Sequence, residues 1–205
     1  KFLGDGVLAF WSAFGGEPEQ CELALRACVE CQRQVTEIGK RPDRAALPKV
    51  SLRLGVATGV VTIGDCGAPP DLNDYTVIGD AANLAARLES ANKQFGTAVL
   101  MDGTTYAGVN DPGSLPLLRL GRVVVVGQSV PVEVYTLLVD GQSEAWRALV
   151  TKGVQAFEQG DYAACGAAFD ELDATHGASK LSAPYRQAMA DPEDARDGVL
   201  RLRAK

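Results

Sequence analysis

A short strand that runs through a glycine directly into a long helix constrains the fold of this chain more than any other segment. Residues 75–78 (YTVI) are strand-sized and rich in β-forming residues, and a Gly-Asp pair follows at once. Residues 81–95 (AANLAARLESANKQF) are typical of a helix, and Asp80 is well placed as its N-cap. Asn83 and Arg87 are four residues apart on that helix, so both side chains lie on one face.

Strand and helix patterns also alternate elsewhere in residues 1–138. Residues 1–11 (KFLGDGVLAFW) predict a hairpin with its turn at Asp5-Gly6, because both residue types tolerate positive φ. Taken alone, that corner is an ordinary surface turn. The other patterns predict, in order, a helix from Glu17-Pro18 to Gly39, a hairpin-like strand pair (VSLRLGV and VVTI), a strand (TAVLM), a short helix (DGTTYAGV) and two closing strands (LPLLRLGRVVVVG and VPVEVYTLL). Together they predict an α+β fold with a mixed, largely antiparallel sheet and flanking helices.

Composition and charge argue against several classes of protein. The chain has 205 residues and a formal net charge of −6, so it is not expected to wrap nucleic acid or bind an anionic membrane. No apolar run in the sequence approaches the ~18 residues that span a bilayer. The five cysteines are an odd number without framework spacing, which favours a reducing compartment, the cytoplasm.

The cysteine and histidine residues offer little chemistry. Cys28 and Cys31 form a CxxC pair inside a helical pattern, with no second pair, and we interpret them as small core residues. His176 is the only histidine and lies in a polar segment. Ser-His-Asp, Cys-His and zinc sites are therefore not expected.

The character of the sequence changes after residue 140, so we predict two units, 1–140 and 141–205. The second begins with two helical patterns, and residues 153–169 (GVQAFEQGDYAACGAAF) resemble one tetratricopeptide hairpin. A single repeat cannot bury its own apolar face, so we expect it to pack on the first unit or on another subunit. Residues 184–205 are charged and are interpreted as a docking tail.

Three motifs carry a resemblance to a known family. Residues 74–90 (DYTVIGDAANLAARLES) resemble the signature of the class III nucleotidyl cyclases, which convert a nucleoside triphosphate into its 3′,5′-cyclic monophosphate and pyrophosphate. Residues 51–67 (SLRLGVATGVVTIGDCG) are similar to the strand-turn-strand before that signature, and residues 1–11 resemble the family's metal-binding hairpin. Three motifs in the right order are a specific signal. The resemblance covers residues 1–138 and implies a ferredoxin-like core.

The resemblance implies a role for several individual residues. Asp5 matches the second of two metal-binding aspartates, which hold two Mg²⁺ or Mn²⁺ ions per site, and hard oxygen ligands suit these ions. Asn83 matches the residue that orients the ribose. Arg87 matches the residue that stabilises charge on the α-phosphate during in-line attack by the 3′-OH. Arg53 matches a triphosphate-binding arginine, whereas Asp80 is expected to be structural.

Base recognition is implied for two further positions. Lys1 and Thr76 match the pair that binds the purine, and a lysine with a hydroxyl complements the N1 acceptor and N6 donor of adenine. Guanylate cyclases of this family typically carry Glu at the lysine position, so Lys1 favours ATP. Thr76, where many relatives have Asp, resembles class IIIb, several of whose members respond to bicarbonate or CO₂.

Two departures from the family pattern affect the expected activity. The first metal aspartate of the family lies on a strand ahead of the hairpin, and the sequence from Lys1 onwards does not contain it. We therefore expect an N-terminally incomplete domain that is inactive alone, with any membrane contact made through an upstream region. Relatives usually have a basic, phosphate-binding residue beside the glycine at this position, but neither neighbour of Gly127 is basic. Arg122 is a candidate substitute. Arg119 and the acidic residues near Asp74 are interpreted as solvated surface.

The leading hypothesis is a bacterial adenylate cyclase that acts in signal transduction. It would convert ATP to cyclic AMP and pyrophosphate by a two-metal mechanism at a homodimer interface, where metals come from one chain and base-binding residues from the other. One alternative is a non-catalytic dimerisation or regulatory module with a protein-binding helical tail. A guanylate cyclase is the other alternative.

Overall fold

The computed structural model describes residues 1–12, 19–44, 47–48, 50–68, 72–138, 141–191 and 195–203. Within these ranges the strands are β1 (Phe2–Leu3), β2 (Gly6–Val7), β3 (Leu54–Val56), β4 (Thr62–Ala68), β5 (Leu72–Ile78), β6 (Val99–Asp102), β7 (Leu117–Val124), β8 (Val132–Leu137) and β9 (Leu200–Arg201). The helices are α1 (Gln20–Lys40), α2 (Asp80–Phe95), α3 (Gly103–Ala107), α4 (Glu144–Glu158), α5 (Tyr162–His176) and α6 (Ala183–Met189). The predicted start of the first helix at Glu17-Pro18 lies outside the described residues.

The main sheet has five strands in the order β3-β6-β8-β7-β9. The β3–β6 and β7–β9 pairs are parallel, and the β6–β8 and β7–β8 pairs are antiparallel. The β1–β2 and β4–β5 pairs form separate antiparallel hairpins. The predicted α+β fold with a sheet of mixed orientation and flanking helices is therefore confirmed.

Helices cover both faces of the main sheet because side chains alternate along each strand. Val99 and Met101 of β6 point to a cluster that includes Leu25 of α1. Leu100, between them, belongs to the larger cluster on the other face, which joins residues of α2, β7 and the segment beyond 140. The sheet is thus enclosed between α1 on one side and α2 with α4–α6 on the other.

Two predicted turns are corrected by the strand pairing. The VSLRLGV and VVTI patterns do not pair with each other: only residues 54–56 of the first form a strand, which pairs with β6, and β4 pairs with β5. In the opening hairpin Leu3 pairs with Gly6, so the two corner residues are Gly4 and Asp5. Gly4 adopts the left-handed φ of 63°, which glycine accepts at the first central position of a tight turn.

The predicted cap of α2 is also corrected. Gly79 occupies the N-cap position, and no side chain makes a capping hydrogen bond there. Asp80 is the first residue of the helix, where the positive end of the helix dipole stabilises its negatively charged carboxylate. The backbone amide of Asn83 donates to the Gly79 carbonyl at 3.2 Å. The helix itself ends as its sequence indicates, at Gly96 with a left-handed φ of 66°.

The interpretation of the CxxC pair as core residues is correct for Cys28 but not for Cys31. Cys21, Cys28 and Cys165 are buried, whereas Cys31 is exposed, because α1 presents only one face to the sheet. Burial, followed by the charge of Cys31, raises the pKa of Cys28 to about 12. A thiol that stays protonated is a poor nucleophile, so Cys28 has a packing role.

The segment beyond residue 140 packs on the same sheet. Helices α4 and α5 form the predicted hairpin, and the Phe169 ring lies 2.8 Å from where a Cβ on Gly153 would be. Tyr185 of α6 is 1% exposed, and its hydroxyl donates to the Leu120 carbonyl at 2.6 Å. Residues 183–189 and 199–202 are therefore packed against the core rather than extended from it. The boundary at residue 140 stays a prediction, since residues 139–140 lie outside the described ranges.

An ion-pair network ties α4 to β7, which corrects the interpretation of Arg119 as solvated surface. Its guanidinium donates to Glu133 at 2.7 Å and to Glu158 at 2.7 Å. Burial raises the pKa of Glu158, but the hydrogen bond and charge of Arg119 outweigh this effect, so the net pKa is lowered. The two carboxylates hold the pKa of Arg119 above its usual range.

Candidate active site

The predicted ribose and phosphate residues lie together in one pocket. Asn83 is exposed and Arg87 half-buried on the same face of α2. The pocket has a volume of about 400 Å³ and is lined by Asn83, Ala86, Arg87, Ser90, Ala91, Gln94 and Val126. All these residues except Val126 belong to α2, where spacings of three and four place side chains on one face. The pocket therefore lies between this helix face and the segment that follows β7.

Arg87 crosses the pocket to its opposite wall. Its Nη1 donates to the Val126 carbonyl at 2.5 Å. A Cβ placed on Gly127 would overlap the Arg87 guanidinium, and the φ of 78° at this position also favours glycine. Thus the close approach of the guanidinium requires the glycine of the Val126-Gly127-Gln128 segment.

Arg122, the candidate substitute for the missing basic residue near Gly127, makes a different contact. Its Nη2 donates to the Asp197 carbonyl at 2.6 Å, in the segment beyond residue 140. It is not among the residues that line the pocket. In the described part of the chain, the guanidinium against Gly127 belongs to Arg87.

The position of α2 is set by its contact with β3. A Cβ on Gly55 would overlap the Ala85 carbonyl oxygen and the Glu89 backbone nitrogen, so the helix lies directly on the strand. Asn92 is completely buried, and its Nδ2 donates to the Leu54 carbonyl at 2.9 Å. Its Oδ1 accepts from the Thr97 hydroxyl at 2.7 Å. These contacts fix the helix that carries Asn83 and Arg87.

The predicted purine-binding residues lie on neighbouring hairpins. Lys1 Nζ forms an ion pair with Asp74 of β5, which corrects the interpretation of Asp74 as unassigned surface. Asp74 and Thr76 are two residues apart on the strand, so their side chains point to the same face. The hairpins also meet through the Phe10 and Tyr75 rings, with centroids 6.3 Å apart. Lys1 is thus held on the face of β5 from which Thr76 projects.

Arg53 lies apart from this pocket. Its Nε donates to Glu89 of α2 at 3.2 Å, and both side chains are more than one third exposed. Arg53 instead lines an open cavity of about 1400 Å³ between the C-terminal half of α1, the end of α2 and the segment after α5. The structure does not bring Arg53 together with Asn83 and Arg87 within one chain.

Asp5 is exposed at the corner of the first hairpin. Among the described residues there is no group of three or more His, Cys, Asp or Glu side chains that could hold a metal ion. Asp5 has the carboxylate chemistry that Mg²⁺ and Mn²⁺ prefer, but one carboxylate does not make a metal site. The part of the chain that the structure describes therefore does not fit a complete two-metal centre.

Sequence reasoning assigned no role to five residues of the pocket wall: Ala86, Ser90, Ala91, Gln94 and Val126. Ser90 and Gln94 lie three and seven residues after Arg87, so the helical period could have identified them. Val126 had no such signal, because its part in the pocket is the backbone carbonyl that accepts from Arg87. No described helix has the length and apolar composition needed to cross a membrane.

Comparison with known proteins decides the family. A family model described as "Adenylate and Guanylate cyclase catalytic domain" matches residues 1–139. The chain belongs to this family. The predicted resemblance to nucleotidyl cyclases is thereby confirmed, and the match ends where the helical segment begins.

Curated relatives of this cyclase domain include adenylate cyclases. It is 31% identical over 138 residues to Adenylate cyclase 1 of Rhizobium meliloti (strain 1021), covering 67% of this chain and 20% of that protein. It is 28% identical over 140 residues to an adenylate cyclase of Anabaena cylindrica, covering 66% of this chain and 27% of that protein. The chain thus spans about a fifth to a quarter of the length of these relatives.

Solved structures of cyclases have the same fold. The adenylyl cyclase CyaB from P. aeruginosa is 26% identical, with a TM-score of 0.54 over 70% of this chain and 72% of that chain. The guanylyl cyclase Cya2 is 24% identical, with a TM-score of 0.57 over 70% of this chain and 71% of that chain. The sheet of mixed orientation with flanking helices is therefore the fold of this cyclase family.

Proposed function

We propose that this cyclase domain is the catalytic part of an adenylate cyclase that converts ATP to 3′,5′-cyclic AMP and pyrophosphate. The observation that carries the proposal is the placement of Asn83 and Arg87 in one pocket on a single face of α2. The family match and the adenylate cyclase relatives support it. A domain used only for dimerisation has no need of an amide and a guanidinium that converge on one small cavity.

The chemistry follows from the charge that develops during the reaction. The 3′-oxygen of the ribose forms a bond to the α-phosphorus while the bond from that phosphorus to the leaving pyrophosphate oxygen breaks, and the hydroxyl proton is released. Negative charge increases on the α-phosphate oxygens, where Arg87 would donate. Asn83, one helical turn earlier, would hold the ribose so that the 3′-oxygen faces the phosphorus. Nη1 of Arg87 would keep its hydrogen bond to the Val126 carbonyl, which leaves the N–H groups of Nη2 and Nε to donate to the phosphate.

The preference for adenine is proposed to come from Lys1 and Thr76. The ammonium of Lys1 has three donors, so the ion pair with Asp74 leaves two for the purine. Asp74 would hold the ammonium on the Thr76 face. An ammonium suits the N1 acceptor of adenine and repels the N1 donor of guanine, which favours ATP over GTP.

The metal requirement is proposed from the family, with Mg²⁺ or Mn²⁺ as the ions. Asp5 is the residue of this chain that would ligate them, although the described residues form no group of three or more His, Cys, Asp or Glu side chains that could hold an ion. Divalent ions would supply charge neutralisation of the triphosphate.

We further propose that the active form is a homodimer. Arg53 lies outside the pocket of its own chain, so its proposed contact with the triphosphate would be made in a site completed by a second copy. Asp5 would contribute to that same half of the site. One chain bears both sets of residues, so a symmetric dimer would contain two sites. A cytoplasmic setting, where ATP is available, suits this activity, and a response to bicarbonate or CO₂ stays an expectation from the resemblance.

The decisive experiment measures cyclic AMP from ATP and cyclic GMP from GTP with Mn²⁺. It uses residues 1–205 and an extended form, which carries a strand with the first metal-binding aspartate ahead of Lys1. We expect cyclic AMP from the extended form and no product from residues 1–205 alone. If a folded, dimeric extended form makes neither cyclic AMP nor cyclic GMP, the enzyme proposal is wrong. Formation of cyclic GMP alone would favour the guanylate cyclase alternative.

Two substitutions test the residue assignments in the extended form. Arg87→Ala is expected to lower kcat by about 100- to 1000-fold without loss of folding, because it removes a donor to developing charge. The matched control is Arg26→Ala, which removes an exposed arginine paired with Glu22 on α1. Lys1→Glu is expected to shift the preference towards GTP. Unchanged turnover in Arg87→Ala would contradict its proposed role.

A further inference from the structure

The strand β9 lies beside the wall of the active-site pocket. It pairs in parallel with β7 through Val123–Leu200 and Val124–Arg201. The Leu202 amide then donates to the Val124 carbonyl at 2.9 Å. This bond is two residues before Val126, whose carbonyl accepts from Arg87. The end of β7 is therefore held by residues that lie beyond the family match, which ends at 139.

The same short segment also contacts the other wall of the pocket. Gln94 lines the pocket from α2, and its Nε2 donates to the Arg203 carbonyl at 3.3 Å. Residues 200–203, here called the strap segment, thus make backbone contacts with both β7 and α2. The donor of the Arg87–Val126 hydrogen bond lies on α2, and its acceptor lies two residues after the end of β7.

The strap segment is firmly anchored. Leu200 is 1% exposed and Leu202 is 8% exposed, and both belong to the larger hydrophobic cluster. Just before the segment, a Cβ on Gly198 would overlap the backbone carbonyl of Glu158 at the end of α4. The Asp197 carbonyl accepts from Arg122 of β7. A segment with these contacts can hold the strand end in one position.

We propose that the strap segment is a positioning element for Arg87. By fixing the end of β7 against α2, it sets the distance that the guanidinium spans across the pocket and so the direction in which it meets the α-phosphate. This inference rests on the proposed function. On this proposal the region beyond residue 140 contributes to turnover. A change that displaces α4–α6 would therefore alter the rate.

The test is a pair of variants at one position of the strap segment, made in the extended form. Leu202→Pro removes the amide that donates to Val124, whereas Leu202→Ala keeps that amide and removes only the side chain. We expect Leu202→Pro to lower kcat by about tenfold with KM for ATP changed by less than about twofold, because misplacement affects the transition state most. Leu202→Ala is expected to stay within about threefold of the unsubstituted protein, because it keeps the backbone bond to Val124 while Leu200 and Gly198 still anchor the segment.

A double-mutant cycle separates positioning from general damage to the fold. If the strap segment acts through Arg87, then Leu202→Pro changes kcat by less than about twofold in an Arg87→Ala background. An undiminished effect in that background overturns the proposal, as does an equal loss of kcat in Leu202→Ala. If Leu202→Pro does not fold, Gly198→Ala replaces it in the same cycle and is judged by the same criterion, because its Cβ would overlap the Glu158 carbonyl and displace the strap segment.

Hydrogen exchange provides a readout that does not need activity. The Gln128 amide donates to the Val125 carbonyl at 3.0 Å, so its exchange reports order at the pocket wall. We expect exchange to accelerate in Leu202→Pro and not in Leu202→Ala. If the extended form makes no cyclic nucleotide, the proposed function fails while this measurement still decides whether the strap segment orders the wall. Equal exchange in both variants overturns the proposal.

Discussion

The contact between Gly55 and α2 yields the sharpest prediction about this domain. Gly55→Ala would place a methyl group against the backbone of the helix that carries Asn83 and Arg87. The added Cβ would overlap the Ala85 carbonyl oxygen and the Glu89 nitrogen, and it would lie 3.0 Å from the Ala85 carbonyl carbon. All three atoms belong to the backbone, so no side-chain rotation relieves the overlap.

The expected magnitude follows from the displacement that the methyl group demands. Because non-bonded carbons lie about 3.5–4.0 Å apart, α2 must rise from the sheet by roughly 1 Å. Overpacking of this kind costs about 1–3 kcal/mol, and we expect about 2–3 kcal/mol because the contact is with rigid backbone. For a chain of this size the midpoint of thermal unfolding should fall by about 5–10 °C.

The catalytic effect should exceed the effect on folding. A displacement of about 1 Å at a reacting group can lower turnover by about 100-fold. The assay therefore combines thermal unfolding with cyclic AMP formation by the extended form, at a temperature where the variant is fully folded. Gly64→Ala is the matched control, because a Cβ at this position in β4 meets nothing within 4 Å.

Two results would refute this reasoning. If Gly55→Ala unfolds at the same temperature as the unsubstituted protein, the helix does not lie on the strand at this residue. If the variant is destabilised yet retains full kcat, the position of α2 does not govern Arg87. An equal loss in Gly64→Ala would show that a methyl group in any strand of this region is harmful.

Three further predictions concern stability and reactivity. Asn92→Leu should lower the free energy of unfolding by about 2 kcal/mol in urea titrations, because the Leu54 carbonyl loses a buried donor; no loss would contradict the tie between α2 and β3. The lowered pKa of Glu158 implies stability that is present above the unfolded-state pKa near 4.5 and lost as pH falls through the folded-state value. Glu158→Gln should therefore cost about 1 kcal/mol at pH 7 but little at pH 3, and an equal cost at both would oppose the ion pair with Arg119. Iodoacetamide at pH 8 should label exposed Cys31 before Cys28, whose pKa is about 12, as peptide mass spectrometry can verify.

The sequence was most informative where a local period carries the information. The helical spacing of residues 81–95 predicts both the helix and the shared face of Asn83 and Arg87, which the structure confirms. The hairpin of α4 and α5 likewise follows from the repeat-like pattern of residues 153–169. In these cases the relevant neighbours lie within one helix or one hairpin.

Long-range partners could not be predicted in the same way. The strand at residues 54–56 pairs with β6 instead of with β4, the next strand along the chain. Helix α2 packs over Gly55 and so brings β6, which follows it, alongside β3. Lys1 pairs with Asp74, and Arg119 pairs with Glu158. A charged residue in a strand has the same local pattern whether its partner is water or a carboxylate far along the chain.

The outer edge of β7 also bears on how the domain avoids aggregation. An uncovered edge strand offers free amides and carbonyls to strands of other molecules. Here the Arg122 amide donates to the Glu158 side chain at 3.1 Å, while β9 pairs with the next two residues. A side-chain carboxylate does not provide the alternating amides and carbonyls that another strand would pair with. A two-residue strand provides only a short edge for such pairing. A form shortened to the family domain alone would expose this edge, and its first failure in solution should be strand-to-strand association between copies.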